Sequence, residues 1–204
     1  MKKNSVLLLF TKNVEKGKVK TRLASTVGDD KALEIYEQLL DYTISVVDKL
    51  DFPKHVYYAW KIEGKDRWSR INFHKKLQVE GNLGEKMQHA FKSSFDEGIE
   101  RVIIIGTDCA EINTKDIEQA ERLLDENEVV IGPALDGGYY LLAMRNMNNC
   151  IFENKPWSTE KLFDLTIKEL ENKGIKYALL DPKSDIDYEE DWNRPNYING
   201  GLKL

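Results

Sequence analysis

The sequence predicts an α/β fold: a single three-layer α/β/α domain with a mainly parallel sheet and an antiparallel excursion near residues 129–144. Three observations lead there. Short apolar runs rich in β-branched residues alternate with stretches of helical periodicity, the pattern of strands joined by crossover helices. The run Val102-Ile103-Ile104-Ile105 is apolar at every position, as in a strand buried on both faces. Two extended runs, 129–132 and 139–144, follow one another with no helical stretch between them, so the chain reverses there or leaves the sheet.

Each element has its own signal. Val6–Phe10 is a short apolar strand, and a polar loop follows over 11–22. From about Asp30 to Leu50 the residues Leu33, Tyr36, Leu39, Leu40, Thr43, Ile44 and Val47 recur at helical spacing. His55–Trp60 reads as the second strand, Lys61–Phe73 as a polar stretch with a short helix, and Lys76–Glu80 as the third strand. Gly81-Asn82-Leu83-Gly84 breaks that strand and opens a helix to about Phe95, with Met87, Ala90, Phe91 and Phe95 on its apolar face. Arg101–Gly106 is the fourth strand. A helix from Thr114 to about Asn127 has acids crowding its first turn. Val129–Gly132 and Tyr139–Met144 are the two extended runs. Ser158, as N-cap, opens a helix that reaches Lys173 and stops at Gly174. Lys176–Leu180 is the last strand, Asp187–Trp192 a short helix with Asp187 and Glu190 as a capping-box variant, and 194–204 a loose tail.

Composition narrows the function classes. A chain of 204 residues, 41% hydrophobic and 32% charged, can bury a real core. Its net charge of −5 argues against general nucleic-acid binding. The two cysteines, Cys109 and Cys150, have no metal-ligand spacing and are no disulfide framework. The apolar run at the start is too short for a signal peptide, and no stretch approaches the ~18 residues of a membrane span. A soluble cytoplasmic protein is expected.

The chemistry is expected at the carboxyl edge of the sheet, where open α/β sheets bind ligands. Asp108 follows directly on the fourth strand and its glycine. An acid there holds a hard divalent cation that bridges to substrate phosphates, or it merely caps a turn. The loop after the first strand carries Lys12, Lys16, Lys18, Lys20 and Arg22 against a single acid, Glu15. Five cations at one crevice call for an anion, and phosphate suits both the arginine fork and the lysine point charges. The loop is not a Walker A sequence. Asp136-Gly137-Gly138 suits a hairpin turn and also lets backbone approach a ligand closely. Asp185 and Asp187 follow the last strand, and either is a candidate second ligand; from spacing alone Asp187 reads as a helix cap.

Taken together, these stretches resemble a known family. Phe10-Thr11-Lys12-Asn13 with Gly17-Lys18-Val19-Lys20-Thr21-Arg22-Leu23, then Gly106-Thr107-Asp108-Cys109, Asp136-Gly137-Gly138-Tyr139-Tyr140, Trp157-Ser158-Thr159 and Asp185-Ile186-Asp187 are similar to the nucleotide-diphospho-sugar transferase superfamily, with its GT-A-like fold. Within it they resemble the bacterial radical-SAM/selenodomain-associated branch, some of whose members are labelled arsenosugar-biosynthesis glycosyltransferases. The motifs run from residue 6 to about 191. The resemblance implies one transferase domain over 1–193, with a nucleotide-binding half of about 1–110 and an acceptor-binding half of about 111–193. It implies Mg²⁺ or Mn²⁺ on Asp108 with Asp187 as partner ligand, and phosphates facing Lys12, Lys20 and Arg22; Lys18 of the same basic loop and Thr107 before Asp108 are counted with the nucleotide-binding residues. Where the family usually has Pro and then Asp after the cysteine, this chain has Ala110 and Glu111, and Glu111 is not counted as a ligand.

The expected reaction is glycosyl transfer from a nucleoside diphosphate sugar to a small-molecule acceptor. Asp136 orients or deprotonates the acceptor hydroxyl, and Gly137, Gly138, Tyr139 and Trp157 line its site. Trp157 stacks on a sugar or base, or simply packs at a helix entrance. The same parts serve a nucleotidyltransferase joining a nucleoside triphosphate to a phosphorylated small molecule, and the crowding of cations between Lys12 and Arg22 leans that way. A non-catalytic nucleotide-binding protein is the third reading.

Overall fold

A computed structural model describes residues 4–70 and 73–194. Seven strands form one sheet: β1 (Ser5–Thr11), β2 (Lys54–Tyr58), β3 (Phe73–Leu77), β4 (Arg101–Ile105), β5 (Val129–Pro133), β6 (Tyr139–Met144) and β7 (Tyr177–Leu179). Their order is β3-β2-β1-β4-β6-β5-β7. All pairings are parallel except those of β6, which runs antiparallel to both β4 and β5. The run 139–144 therefore stays in the sheet and reverses, inserted between its two neighbours.

Alternation along the strands sorts side chains onto two faces. Leu7, Leu9, Ile103, Ile105 and Ala143 pack on one side with Tyr36, Leu40 and Ile44 of α2 (Asp29–Val47) and Ile117 of α4 (Thr114–Leu123). Val6, Leu8, Val102, Ile104, Leu142 and Met144 pack on the other with Met87, Ala90 and Phe91 of α3 (Leu83–Asp96) and Leu170 of α5 (Leu162–Asn172). The result is three layers. Leu7, Ile103 and Val102 are wholly buried, each stabilising the fold by about 1.5–3 kcal/mol relative to an exposed side chain. A smaller cluster joins Leu23 of α1 (Thr21–Val27), Ile35 and Leu39 of α2, Ile186, and Trp192 of α6 (Glu189–Trp192).

Four local expectations are corrected. Helix α1 stands where no helix was expected; seven residues with Leu23 alone buried are too few to display a period. Among the described residues, 61–73 contains no helix. Asp66 organises that stretch instead, accepting the Trp68 amide at 3.0 Å and pairing with Lys75 at 2.7 Å. Strand β3 begins three residues before the expected start, set by Phe73 opposite Lys54 and by contact of Phe73 with Trp68. Ser158 is not an N-cap: it lies in the left-handed region at φ 64°, and α5 begins only at Leu162. Of the expected tail, 195–204 lies outside the described residues. No helix among the described residues is long and apolar enough to cross a membrane.

Candidate functional site

The parallel run of β1 and β4 brings the loop after β1 and the loop after β4 to one edge of the sheet. Tyr36 of α2 fixes the start of the first loop. Its buried phenol accepts the Lys12 amide at 2.9 Å and donates to the Lys12 carbonyl at 2.9 Å, with the Thr11 hydroxyl at 3.1 Å. Burial, reinforced by the charge of Asp108, pushes its pKa up to about 12, so it keeps its proton. Asn13 ties the loop to the segment after β2, donating to the Lys61 carbonyl at 2.8 Å and to Glu63 at 3.1 Å.

Lys20 is the centre of the arrangement. It takes the left-handed conformation (φ 47°, ψ 43°) just before α1, and its side chain is 4% exposed. The ammonium lies 2.6 Å from Asp108 Oδ1, donates to the Ile186 carbonyl at 2.7 Å, and stands 3.7 Å from Asp187 Oδ1. One buried cation thus joins the loop after β1 to an acid after β4 and another after β7.

The backbone is stitched at the same place. The Ile186 amide donates to the Asp108 carbonyl at 3.0 Å, and Cys109 and Asp185 form an isolated antiparallel bridge. Glu111 accepts the Ser184 amide at 3.0 Å, so this acid fastens the two loops together. Asp187 is drawn to Lys20 and to Arg22, the latter at 2.9 Å. The capping expected of it falls to Asp191, whose carboxylate accepts the amides of Asp187 and Tyr188. Asp185 faces inward, and its buried Oδ1 has no hydrogen-bond partner. Burial raises its pKa to about 7, helped by the charge of Asp108 and, more weakly, of Asp136 and Asp187, against the lowering pull of Lys20. Burial also pushes the Cys109 thiol up, leaving it an inert filler of the strand end.

The other cations divide. Lys16 pairs with Asp30 at 2.6 Å, and Lys18 pairs with Glu15 at 2.6 Å while lying over the Trp60 ring. Hydrogen bonds from Lys18 and Trp60 hold the Glu15 carboxyl down to about 2. Four of the five expected anion-seekers are therefore neutralised by carboxylates of the chain itself, a correction to the reading of an unbalanced loop. The Lys12 side chain is exposed and has no carboxylate partner among the described residues.

The turn after β5 is a tight one. The Gly138 amide donates to Asp136 Oδ1 at 2.9 Å, and the Phe163 amide donates to the Gly137 carbonyl at 2.8 Å. Gly137 has φ 88°, and a Cβ there would meet the Glu160 carbonyl oxygen at 2.1 Å, so only glycine fits. The Tyr139 hydroxyl lies 3.2 Å from that of Thr166 on α5. Trp157 stacks on Phe152, meets Tyr139 edge-on and covers Gly84 so closely that a Cβ there would fall 2.1 Å from its indole nitrogen. The structure thus places Trp157 as packing between the start of α3 and the segment before α5. Thr107 is buried beside Asp108. In the sequence Tyr36 reads only as part of a helical face; its signal is a lone tyrosine in an aliphatic stripe, since a buried phenol needs a partner.

Among the described residues no group of three or more His, Cys, Asp or Glu is arranged to hold a metal by itself. The donor set does suit a hard cation that completes its shell elsewhere. Asp108 and Asp187 offer carboxylate oxygens around one point, and Asp185 Oδ1 beside them lacks a partner. Magnesium characteristically binds through one or two carboxylates plus substrate phosphates and water.

Residues 43–159 match a family described as "Uncharacterized protein conserved in bacteria (DUF2064)". A crystal structure from Desulfovibrio desulfuricans G20, provisionally named a nucleotide-diphospho-sugar transferase, superposes with TM-score 0.85 at 27% identity over 96% of this chain and 91% of that one. The 4-diphosphocytidyl-2C-methyl-D-erythritol synthase of Anaerococcus prevotii DSM 20548 shares the fold, with TM-score 0.57 and 12% identity over 93% and 92% of the two chains. A curated relative, 2-phospho-L-lactate guanylyltransferase of Methanocaldococcus vulcanius, is 30% identical over 128 residues. That match takes in 59% of this chain and 57% of the relative, so the chain spans little more than half of that protein. The fold is the nucleotide-diphospho-sugar transferase fold.

Proposed function

The chain belongs to the DUF2064 family, and from that premise we propose that it is a transferase of the nucleotidyl class, which joins a nucleoside triphosphate to a small molecule carrying a phosphate and releases pyrophosphate. The observation that carries this reading is the pairing of Asp108 and Asp187 around one ammonium group, at 2.6 and 3.7 Å. Two acids from separate loops, rather than an adjacent Asp-x-Asp, suit a cation held on the nucleotide's own phosphates. The guanylyltransferase relative points the same way.

In this reaction an acceptor phosphate oxygen attacks the α-phosphorus. A new P–O bond forms, the bond to the bridging oxygen breaks, and pyrophosphate leaves with the electron pair. Lys12, Lys20 and Arg22 hold the triphosphate at the edge of the sheet, with Lys18 at the rim and Thr107 beneath. Asp108 and Asp187 would hold Mg²⁺ or Mn²⁺, which when bound supplies neutralisation of the α-phosphate and the leaving pyrophosphate. Preorganised charge of this kind is usually the largest contribution to catalysis. The acceptor enters from the half after residue 110, where Asp136 orients it over Gly137 and Gly138. Tyr139 and Trp157 set the wall behind that turn.

Glycosyl transfer from a nucleoside diphosphate sugar is the second reading, favoured by the similarity to the D. desulfuricans structure. A thermal-shift series with Mn²⁺ and each nucleoside triphosphate or nucleotide sugar, followed by measurement of pyrophosphate release with phosphorylated acids and sugar phosphates, separates the two. Stabilisation by triphosphates and release of pyrophosphate are expected. Stabilisation by nucleotide sugars alone would overturn nucleotidyl transfer in favour of glycosyl transfer.

A further inference from the structure

We propose that Lys20 is a resident counter-ion that fills the divalent cation's place between Asp108 and Asp187, so that metal enters with the nucleotide and not before it. The inference rests on the nucleotidyl reading for its ligand and on geometry for its substance. The Lys20 ammonium is buried, ion-pairs with Asp108 at 2.6 Å, donates a hydrogen bond to the Ile186 carbonyl, and faces Asp187 at 3.7 Å. Mg²⁺ binding both carboxylates needs their oxygens at about 2.0–2.1 Å. The ammonium already shares that point, and two like charges so close repel. Asp185, bridged through the backbone to Cys109 next to Asp108, adds a buried and unpartnered carboxyl oxygen nearby. In the absence of nucleotide, the aspartates need one internal cation to sit together, and Lys20 is the one the fold supplies.

The exchange is built into the residue type. A lysine ammonium is a point charge on a flexible stem, able to turn from a carboxylate to a phosphate without moving the backbone. A nucleotide phosphate offers a better partner than Asp108, since charge-assisted bonds to phosphate are strong. As Lys20 turns to it, both carboxylates are freed for the metal that travels with the nucleotide. Each ligand then raises the affinity for the other, as linkage requires.

Mn²⁺ alone is the probe, read by the electron paramagnetic resonance of the free ion, with no nucleotide present. Lys20→Met is expected to bind Mn²⁺ about tenfold or more tighter than the unaltered protein, and Asp108→Asn in the Lys20→Met background is expected to abolish the gain. Equal or weaker binding by Lys20→Met overturns the inference. Should Lys20→Met fail to fold, the unaltered protein decides. Mg²⁺ alone is expected to leave its melting temperature unchanged and to raise it once a triphosphate is present; equal stabilisation with and without triphosphate overturns the proposal. Tighter Mn²⁺ binding by Lys20→Met, with no pyrophosphate released from any triphosphate by the unaltered protein, would retire the nucleotidyl reading and leave the counter-ion standing.

Discussion

The Asp108 carbonyl accepts the Ile186 amide at 3.0 Å. That single backbone bond sets the acid after β4 one residue away from the acid after β7. The main chain thus brings the two acidic residues together, and the ion pairs with Lys20 then gather their carboxylates.

Asp108→Asn keeps this bond and removes the charge. The variant is expected to fold normally by circular dichroism, to lose the extra thermal stabilisation that Mn²⁺ gives with a triphosphate, and to lose about a hundredfold or more in turnover. Undiminished Mn²⁺-dependent stabilisation would remove Asp108 from the metal site.

Tyr36→Phe strips the Lys12 amide and carbonyl of their shared buried partner. A cost of about 1–3 kcal/mol in stability is expected, along with faster hydrogen exchange at the Lys12 amide. The amides of β1 and β4 should stay protected. Uniform loss of protection across the sheet would mean that Tyr36 serves the core and not the loop.

Gly137→Ala places a Cβ 2.1 Å from the Glu160 carbonyl oxygen in a left-handed backbone. Destabilisation of about 2 kcal/mol or more is expected, seen as a lower denaturant midpoint. Gly138→Ala, which has no positive φ and whose new Cβ meets Asp136 Oδ1 at 3.2 Å, should cost less.

His55 gives the chain a pH dependence remote from the site. It lies 8% exposed on β2, its Nδ1 has no hydrogen-bond partner, and burial together with the Lys76 charge pushes its pKa down to about 4, against a smaller opposing pull from Glu97 and with His74 edge-on beside it. The unfolded chain takes up this proton near pH 6.5 and the folded one only near 4. The contribution is therefore fully present above about pH 6.5 and is lost as pH falls toward 4. Comparing the unaltered protein with His55→Gln between pH 7 and 4.5, the loss of stability should be smaller in the variant by about 1–3 kcal/mol. Identical slopes would exclude His55.

Strands were legible wherever burial on both faces left no polar position. Val102–Ile105 and Tyr139–Met144 show this, and the missing helix before Tyr139 allows a reversal or an exit from the sheet, of which β6 makes the reversal. The insertion of β6 between β4 and β5 was not legible, because strand order is decided by pairings between distant residues. At the site, residue types carried over and partners did not. The cations of the loop after β1 suggested an external anion, yet Lys16, Lys18, Lys20 and Arg22 meet Asp30, Glu15, Asp108 and Asp187. The helical spacing of Tyr36 marked it as core, while the use of its hydroxyl depends on where the chain after β1 passes. Asp187 looked like a cap because its spacing to Glu190 allows one. Only the fold shows that Asp191 takes the amides and frees Asp187 for Lys20.

The placement of β1 in the middle of the sheet, beside β2 and β4, has a consequence for the order of events during synthesis. Strand β1 waits for β4, whose Arg101 lies opposite Ser5, and β4 keeps one edge open until the β5–β6 hairpin exists to fill it. Such distant pairing is slow and exposes unpaired edges. Lys20 meets the carbonyl of Ile186 across 166 positions, so its charge stays unburied until nearly all of the described chain has left the ribosome. A nascent chain stopped short of β7 carries the loop after β1 without its clasp, which makes burial of that one lysine a marker that the fold has closed.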